Sequence, residues 1–271
     1  MATLYLSTPP EGLARTGALG AQGFVTGYAV GNTLSLFRLY RGRPGKQPMM
    51  ALTGKFLTRP RQTQDPRFVN RFVSSLWSEC RLMGFEEIFF NWAEYSLWAP
   101  LVEEAARQTP RPALYALCSS QDELPHGVCP VLYADPLAPF PQEVERFLTH
   151  HPGKETAVCL PLWAVEYDLP HIRRNSRFLP AADVYHLAHQ RQLTLQYDAD
   201  WMQGYFTRQE QNQGFFTHVE SCESLENKAR FLARHNIRKV FAGLGPLEAI
   251  CRGCGQELSA FLPRWMELLS S

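Results

Sequence analysis

The chain has no excess of either charge: 27 Lys and Arg stand against 26 Asp and Glu, for a net charge of +1 over 271 residues. Bulk electrostatics therefore point to no nucleic-acid partner and no anionic membrane surface. No uninterrupted apolar run is long enough to cross a bilayer. The start of the chain has no basic stretch followed by an apolar one, so no secretory signal is visible and the expected compartment is cytoplasmic. The seven cysteines, an odd number scattered along the chain, agree with reduced thiols. Cys251 and Cys254 form a C-x-x-C with no second pair of ligands at zinc-site spacing, and read as two free thiols in a loop. There is no H-E-x-x-H, no G-x-S-x-G and no complete phosphate loop around Gly243-Leu244-Gly245. No cofactor or metal is implied. No linker, charge block, low-complexity run or internal repeat divides the sequence, so one domain over 1–271 is expected.

What is present is an alternation of short apolar runs with helical periodicity. Strands are expected over 3–7, 23–30, 49–53, 88–92, 112–118, 128–134, 156–163 and 239–242. Asp65-Pro66 opens a helix as N-cap and first-turn proline, and Phe68, Val69, Phe72, Val73, Leu76, Trp77 and Cys80 give it one apolar face up to Gly84. Further helices are expected over 96–108, 140–150, 221–236 and 258–269, with a weaker helical or irregular region over 171–194. This order predicts an α/β fold with a mainly parallel sheet, a (β/α)8 TIM-barrel-like domain, with an incomplete or shortened barrel as the variant of that reading.

In such barrels the chemistry sits where strands end. Residues 84–94, Gly-Phe-Glu-Glu-Ile-Phe-Phe-Asn-Trp-Ala-Glu, are a buried strand with a polar exit. Glu94 closes that exit and stands at the first turn of the next helix, where its charge suits the dipole. Glu166 and Asp168, at the exit of the 156–163 strand, are two apart and would share a face, so they could pair with Glu94 in a two-carboxylate site. Asp135 ends another strand in the same way. Trp92, Tyr95, Trp163, Tyr167, Tyr197, Asp198 and Trp201 fall near strand ends and loops, where aromatic faces suit sugar rings and equally suit closing a core.

The unit from Phe68 to Glu94 resembles the fourth-strand signature of glycoside hydrolase family 18, D-x-x-D-x-D-x-E after a Gly-aromatic step. In that family the final Glu protonates the glycosidic oxygen, and the preceding Asp orients the substrate acetamido group, whose carbonyl oxygen is the nucleophile. Aligned on Gly84-Phe85, the Asp positions fall on Glu86, Phe89 and Asn91, and the Glu position falls on Ala93. Asn91 can still hydrogen-bond an acetamido group, but Phe89 relays no charge and Ala93 donates no proton. The segments 197–200, 204–207, 216–220 and 236–245 resemble the end of the bacterial spore cortex-lysin type, with Ala242 where a sugar-flooring Trp would stand. The resemblance covers most of 50–246. It implies a barrel that binds an N-acetylglucosamine-containing glycan, peptidoglycan or chitin-like, with impaired catalysis, and an association with the spore or cell wall. An active glycosidase using Glu94, or a non-catalytic scaffold for protein partners, are the alternatives.

Overall fold

The computed structural model describes residues 2–31, 35–40, 49–54, 63–92, 94–108, 113–169 and 176–271. Ala93, Pro112 and the stretch 170–175, for which readings were made above, lie outside the described residues. The chain divides into two compact units: Tyr5–Tyr133 with Phe147–Val158, and Met1–Leu4 with Ala134–Arg146 and Cys159–Ser271.

The first unit is built on parallel strands. β1 (Thr3–Ser7) pairs with β2 (Gln22–Phe24), which follows the short helix α1 (Leu13–Ala18). β3 (Tyr28–Val30) has β4 (Leu36–Arg38) antiparallel on one side and β5 (Met49–Thr53) parallel on the other. The parallel order continues through β6 (Glu87–Asn91), β7 (Ala113–Cys118) and β8 (Val128–Tyr133). The single strand expected over 23–30 is two, because Gly27 N–H bonds back to Val25 O at 2.7 Å and turns the chain between them. Met49 to Leu52 and Ile88 to Phe90 are buried without alternation, as expected for strands covered on both faces.

The helix α2 (Pro66–Met83) lies between β5 and β6. Its Asp65 carboxylate caps Arg67 N–H at 2.9 Å, Gly84 ends it at φ +75°, and Val69, Phe72, Val73, Leu76 and Cys80 form its buried face, as the sequence pattern predicted. The next helix, α3 (Tyr95–Gln108), runs between β6 and β7.

In chain order α4 (Phe140–His150) and β9 (Ala157–Leu160) follow, and then the sequence reading needs correction. The strand expected over 156–163 stops at Leu160. Pro161 cannot donate to a ladder, and Leu162 takes φ +58°. The chain restarts as β10 (Trp163–Leu169), which belongs to an antiparallel sheet in the second unit with β11 (Ser176–Pro180), β12 (Gln196–Asp198), β13 (Gln203–Glu210) and β14 (Gln213–Val219), in the order β11-β10-β14-β13-β12. The region read as weakly helical is β11 followed by α5 (Ala181–Gln190). Next come α6 (Cys222–Arg234), β15 (Lys239–Gly243), α7 (Leu244–Gly253) and α8 (Leu258–Ser270). Cys251 and Cys254 are therefore not in a loop: Cys251 is a buried residue of α7 and Cys254 is its C-cap. No helix among the described residues is long and apolar enough to cross a membrane.

Candidate functional site

Side chains alternate along β6, so Glu87, Phe89 and Asn91 share one face. On that face Tyr5 donates to Glu87 Oε1 at 2.8 Å and Tyr115 at 3.2 Å, and burial, first of all, drives the Tyr5 hydroxyl well above the ordinary tyrosine range. Two residues on, Phe89 is 1% exposed and meets the edge of Phe24 with ring centroids 6.2 Å apart. Asn91 closes the strand half-buried. That face thus carries a carboxylate held by two tyrosine hydroxyls, then an aromatic ring, then an amide. Glu94 is exposed immediately ahead of α3, its backbone oxygen accepting from Leu97 N–H at 3.2 Å, and its carboxylate has no partner among the described residues.

Trp92 and Tyr95, expected among the sugar-facing aromatics, are core residues. Trp92 is 2% exposed and packs on Trp98 at 4.4 Å and on Phe90 at 5.0 Å. Tyr95 is the first residue of α3 and is equally buried. Trp92 and Tyr95 thus bury large apolar surface just after β6, where α3 begins.

Glu166 also differs from its expected place. It sits inside β10 of the antiparallel sheet, 1% exposed, not at a strand exit. Arg177 Nε donates to its Oε1 at 2.7 Å, while Arg208 at 2.8 Å and the Thr217 hydroxyl at 3.1 Å donate to Oε2. Arg208 lies 3.8 Å over the Phe215 ring. Burial pushes the Glu166 carboxyl up, and the two guanidinium groups more than offset it, holding the pKa below the usual value. A carboxylate so paired neither donates nor accepts a proton near neutrality. Asp168, two residues on, is half-buried.

The second unit does gather several of the expected residues. Tyr167 from β10, Asp198 from β12 and Trp201 surround His218 of β14, a residue the sequence reading passed over. Trp201 lies tilted against its imidazole with centroids 4.6 Å apart, and Tyr167 at 6.0 Å and Phe216 at 4.7 Å meet it edge-on. Asp198 Oδ1 holds the turn by accepting from Asp200 N–H at 3.0 Å and Trp201 N–H at 3.1 Å. Tyr197 is half-buried beside it. The period-2 alternation of Phe216 and His218 was the available signal.

A small recess follows β9. Asp135, Phe140, Trp163, Gln203, Glu220 and Lys228 line it, and its volume of about 10 Å³ has room for a single water. Trp163 is 46% exposed, so its ring is open to a ligand. Glu220 is buried just before the N-cap of α6; it accepts from Lys228, from Gln203 Nε2 at 3.2 Å and from the Ser224 hydroxyl at 2.7 Å. Behind Asp135, Glu143 accepts from the Asp135 N–H at 2.9 Å, and its pKa is pushed up to about 7, burial outweighing that hydrogen bond. Of these residues the sequence reading noted only Asp135 and Trp163. Glu220 and Lys228 are separated by two helical turns, and only the fold shows that they pair. Among the described residues no group of three or more His, Cys, Asp or Glu side chains could hold a metal.

No family model and no curated protein sequence matches the chain. Solved structures do. A chitinase from Chromobacterium violaceum superposes with a TM-score of 0.74 at 11% identity over 100% of both chains. The spore cortex-lytic enzyme SleL of Bacillus cereus gives 0.71 at 12% identity over 97% of this chain and 74% of its own. Human YKL-39, described as a pseudo-chitinase with retained chitooligosaccharide binding, gives 0.76 at 12% over 100% of both. The chain has the fold of the family 18 chitinases and cortex-lytic enzymes. The α/β barrel class read from the sequence is therefore the observed one. At these identities the likeness speaks for the fold alone.

Proposed function

We propose that this protein is a barrel of the family 18 type, one domain over 1–271, that binds an N-acetylglucosamine-containing glycan, peptidoglycan or chitin-like, and hydrolyses it weakly or not at all. The observation that carries this reading is Phe89, buried on the β6 face where the family places a carboxylate, with Asn91 following it. A general acid contributes roughly 10²–10⁴-fold to such a reaction. Asn91 keeps a donor and an acceptor for an acetamido group. Trp163 and Tyr197 offer aromatic surface to a sugar ring, and Tyr167, Asp198 and Trp201 form a polar aromatic cluster that suits the same ligand. The pseudo-chitinase YKL-39 supports the combination of this fold with binding. Association with a spore or cell wall follows from the same glycan.

The test is calorimetry with chitooligosaccharides and soluble peptidoglycan fragments, run beside a hydrolysis assay on both. Binding with no turnover is the expected result. Turnover that Glu94→Gln abolishes would replace this reading with that of an active glycosidase. Absence of binding to either glycan would leave a scaffold barrel.

A further inference from the structure

Three thiols of the second unit stand together. Cys222 is the first residue of α6, Cys251 lies on α7, and Cys254 is the C-cap of α7. The Cys222 N–H donates to Cys254 Sγ at 3.4 Å, although the two residues are 32 positions apart. The Cys222 thiol is hydrogen-bonded to both Cys251 and Cys254. The backbone holds Cys254 in place: its N–H bonds Ile250 O at 2.9 Å and Cys251 O at 3.1 Å. The Tyr185 hydroxyl of α5 lies 3.4 Å from Cys254 Sγ and donates to Glu220 O at 2.7 Å. Gly253 leaves room for the Tyr185 ring, which a Cβ there would strike. Cys222 and Cys251 are buried and Cys254 is half-buried, so a small reagent reaches the cluster through Cys254.

We propose that Cys222 and Cys254 are a modification site, where the two sulfurs join in a disulfide that ties the start of α6 to the end of α7 beside Glu220. The co-reactant is a low-molecular-weight disulfide. The Cys254 sulfur loses its proton, attacks one sulfur of the reagent and displaces a thiolate. Cys222 then loses its proton, attacks the Cys254 sulfur and displaces the second thiolate. Two protein thiols are oxidised, one reagent disulfide is reduced to two thiols, and the two protons pass to those thiols. The hydrogen bond to Cys251, first of all, takes the Cys222 thiol up to about 12, and the bond to Cys222, followed by burial, raises that of Cys254. Thiols of that kind hold little thiolate and leave slowly. The disulfide therefore forms slowly and then resists exchange, which is the behaviour of a structural tie and not of a redox sensor.

The test incubates the whole protein with oxidised glutathione at mildly alkaline pH, alkylates the remaining thiols and digests it without reduction. Trypsin cuts after Arg208, Lys228, Lys239, Arg252 and Arg264, which puts the three cysteines on separate peptides, 209–228, 240–252 and 253–264. Mass spectrometry is expected to find 209–228 joined to 253–264. The intact oxidised protein is expected to melt about 5–10 °C above the reduced one. Cys254→Ser is expected to lose both the link and the shift, and Cys251→Ala to keep both. A link from 240–252 to either of the other peptides would overturn the pairing. No link after oxidation would overturn the site. A link that leaves the melting temperature unchanged would overturn its role as a tie.

Discussion

Asp198 Oδ2 stands 3.8 Å from Nε2 of His218, yet the imidazole is held neutral, its pKa lowered to about 4. Burial outweighs the attraction of the carboxylate, since charging a ring that is 4% exposed costs more than a pair at that distance returns. The folded pKa lies below the unfolded value of 6.5. Protonation then favours the unfolded chain, and stability is lost as pH falls from about 6.5 to 4. Urea denaturation at pH 7.5 and 4.5 is expected to show a loss of up to roughly 3 kcal/mol from this group, which His218→Phe removes. The same pH slope in both proteins would rule this out.

Glu143 has the opposite sign. Its folded pKa of about 7 exceeds the ordinary 4.5, so the folded state holds the proton more tightly. Its contribution to stability is present below pH 4.5 and is lost as pH rises through 7. Glu143→Gln is expected to match the parent at pH 4.5 and to gain on it steadily up to pH 8 in thermal melts. A constant offset across that range would show that the carboxyl does not titrate there.

Lys228 and Glu220 are both buried and paired. Lys228→Met would leave a buried carboxylate with only the neutral donors Gln203 and Ser224, and is expected to cost about 3–5 kcal/mol. The double change Glu220→Gln with Lys228→Met is expected to recover most of it. Additive losses in a double-mutant cycle would contradict the pairing.

The tryptophans separate into two classes. Trp98→Ala opens a cavity under Trp92 and is expected to cost about 3–5 kcal/mol. Trp163→Ala removes a half-exposed ring, so its melting temperature should barely move while affinity for glycan drops. A large stability loss at Trp163 with unchanged glycan affinity would assign it to packing.

Local signals read reliably along the parallel strands. The Asp65 cap, the apolar face of α2 and the Gly84 stop are legible because each depends on residues within a few positions of one another. The antiparallel sheet was not legible. Its strands mix apolar and polar residues, as Trp163–Leu169 does, and the region over 171–194 shows no clear period. The helix α7 follows β15 without a loop, which hid its start and put Cys251 and Cys254 in the wrong setting. Among the candidate residues, Asp135 does follow a strand end, whereas Glu166 does not, because the turn at Pro161 and Leu162 moves the chain into the other sheet.

The parallel strands with their helices up to β9, the barrel class and the side chains that stand at the β6 positions were decided by the residues along the chain, since hydrophobic period and side-chain chemistry are local properties. Which carboxylates are free to act was decided only by the tertiary structure. Glu166 is taken up by Arg177 and Arg208, Glu220 by Lys228, and Trp92 is closed under Trp98. Whether a charge is paired and a ring covered depends on neighbours that folding brings together from elsewhere in the chain, and burial then sets what each group can do.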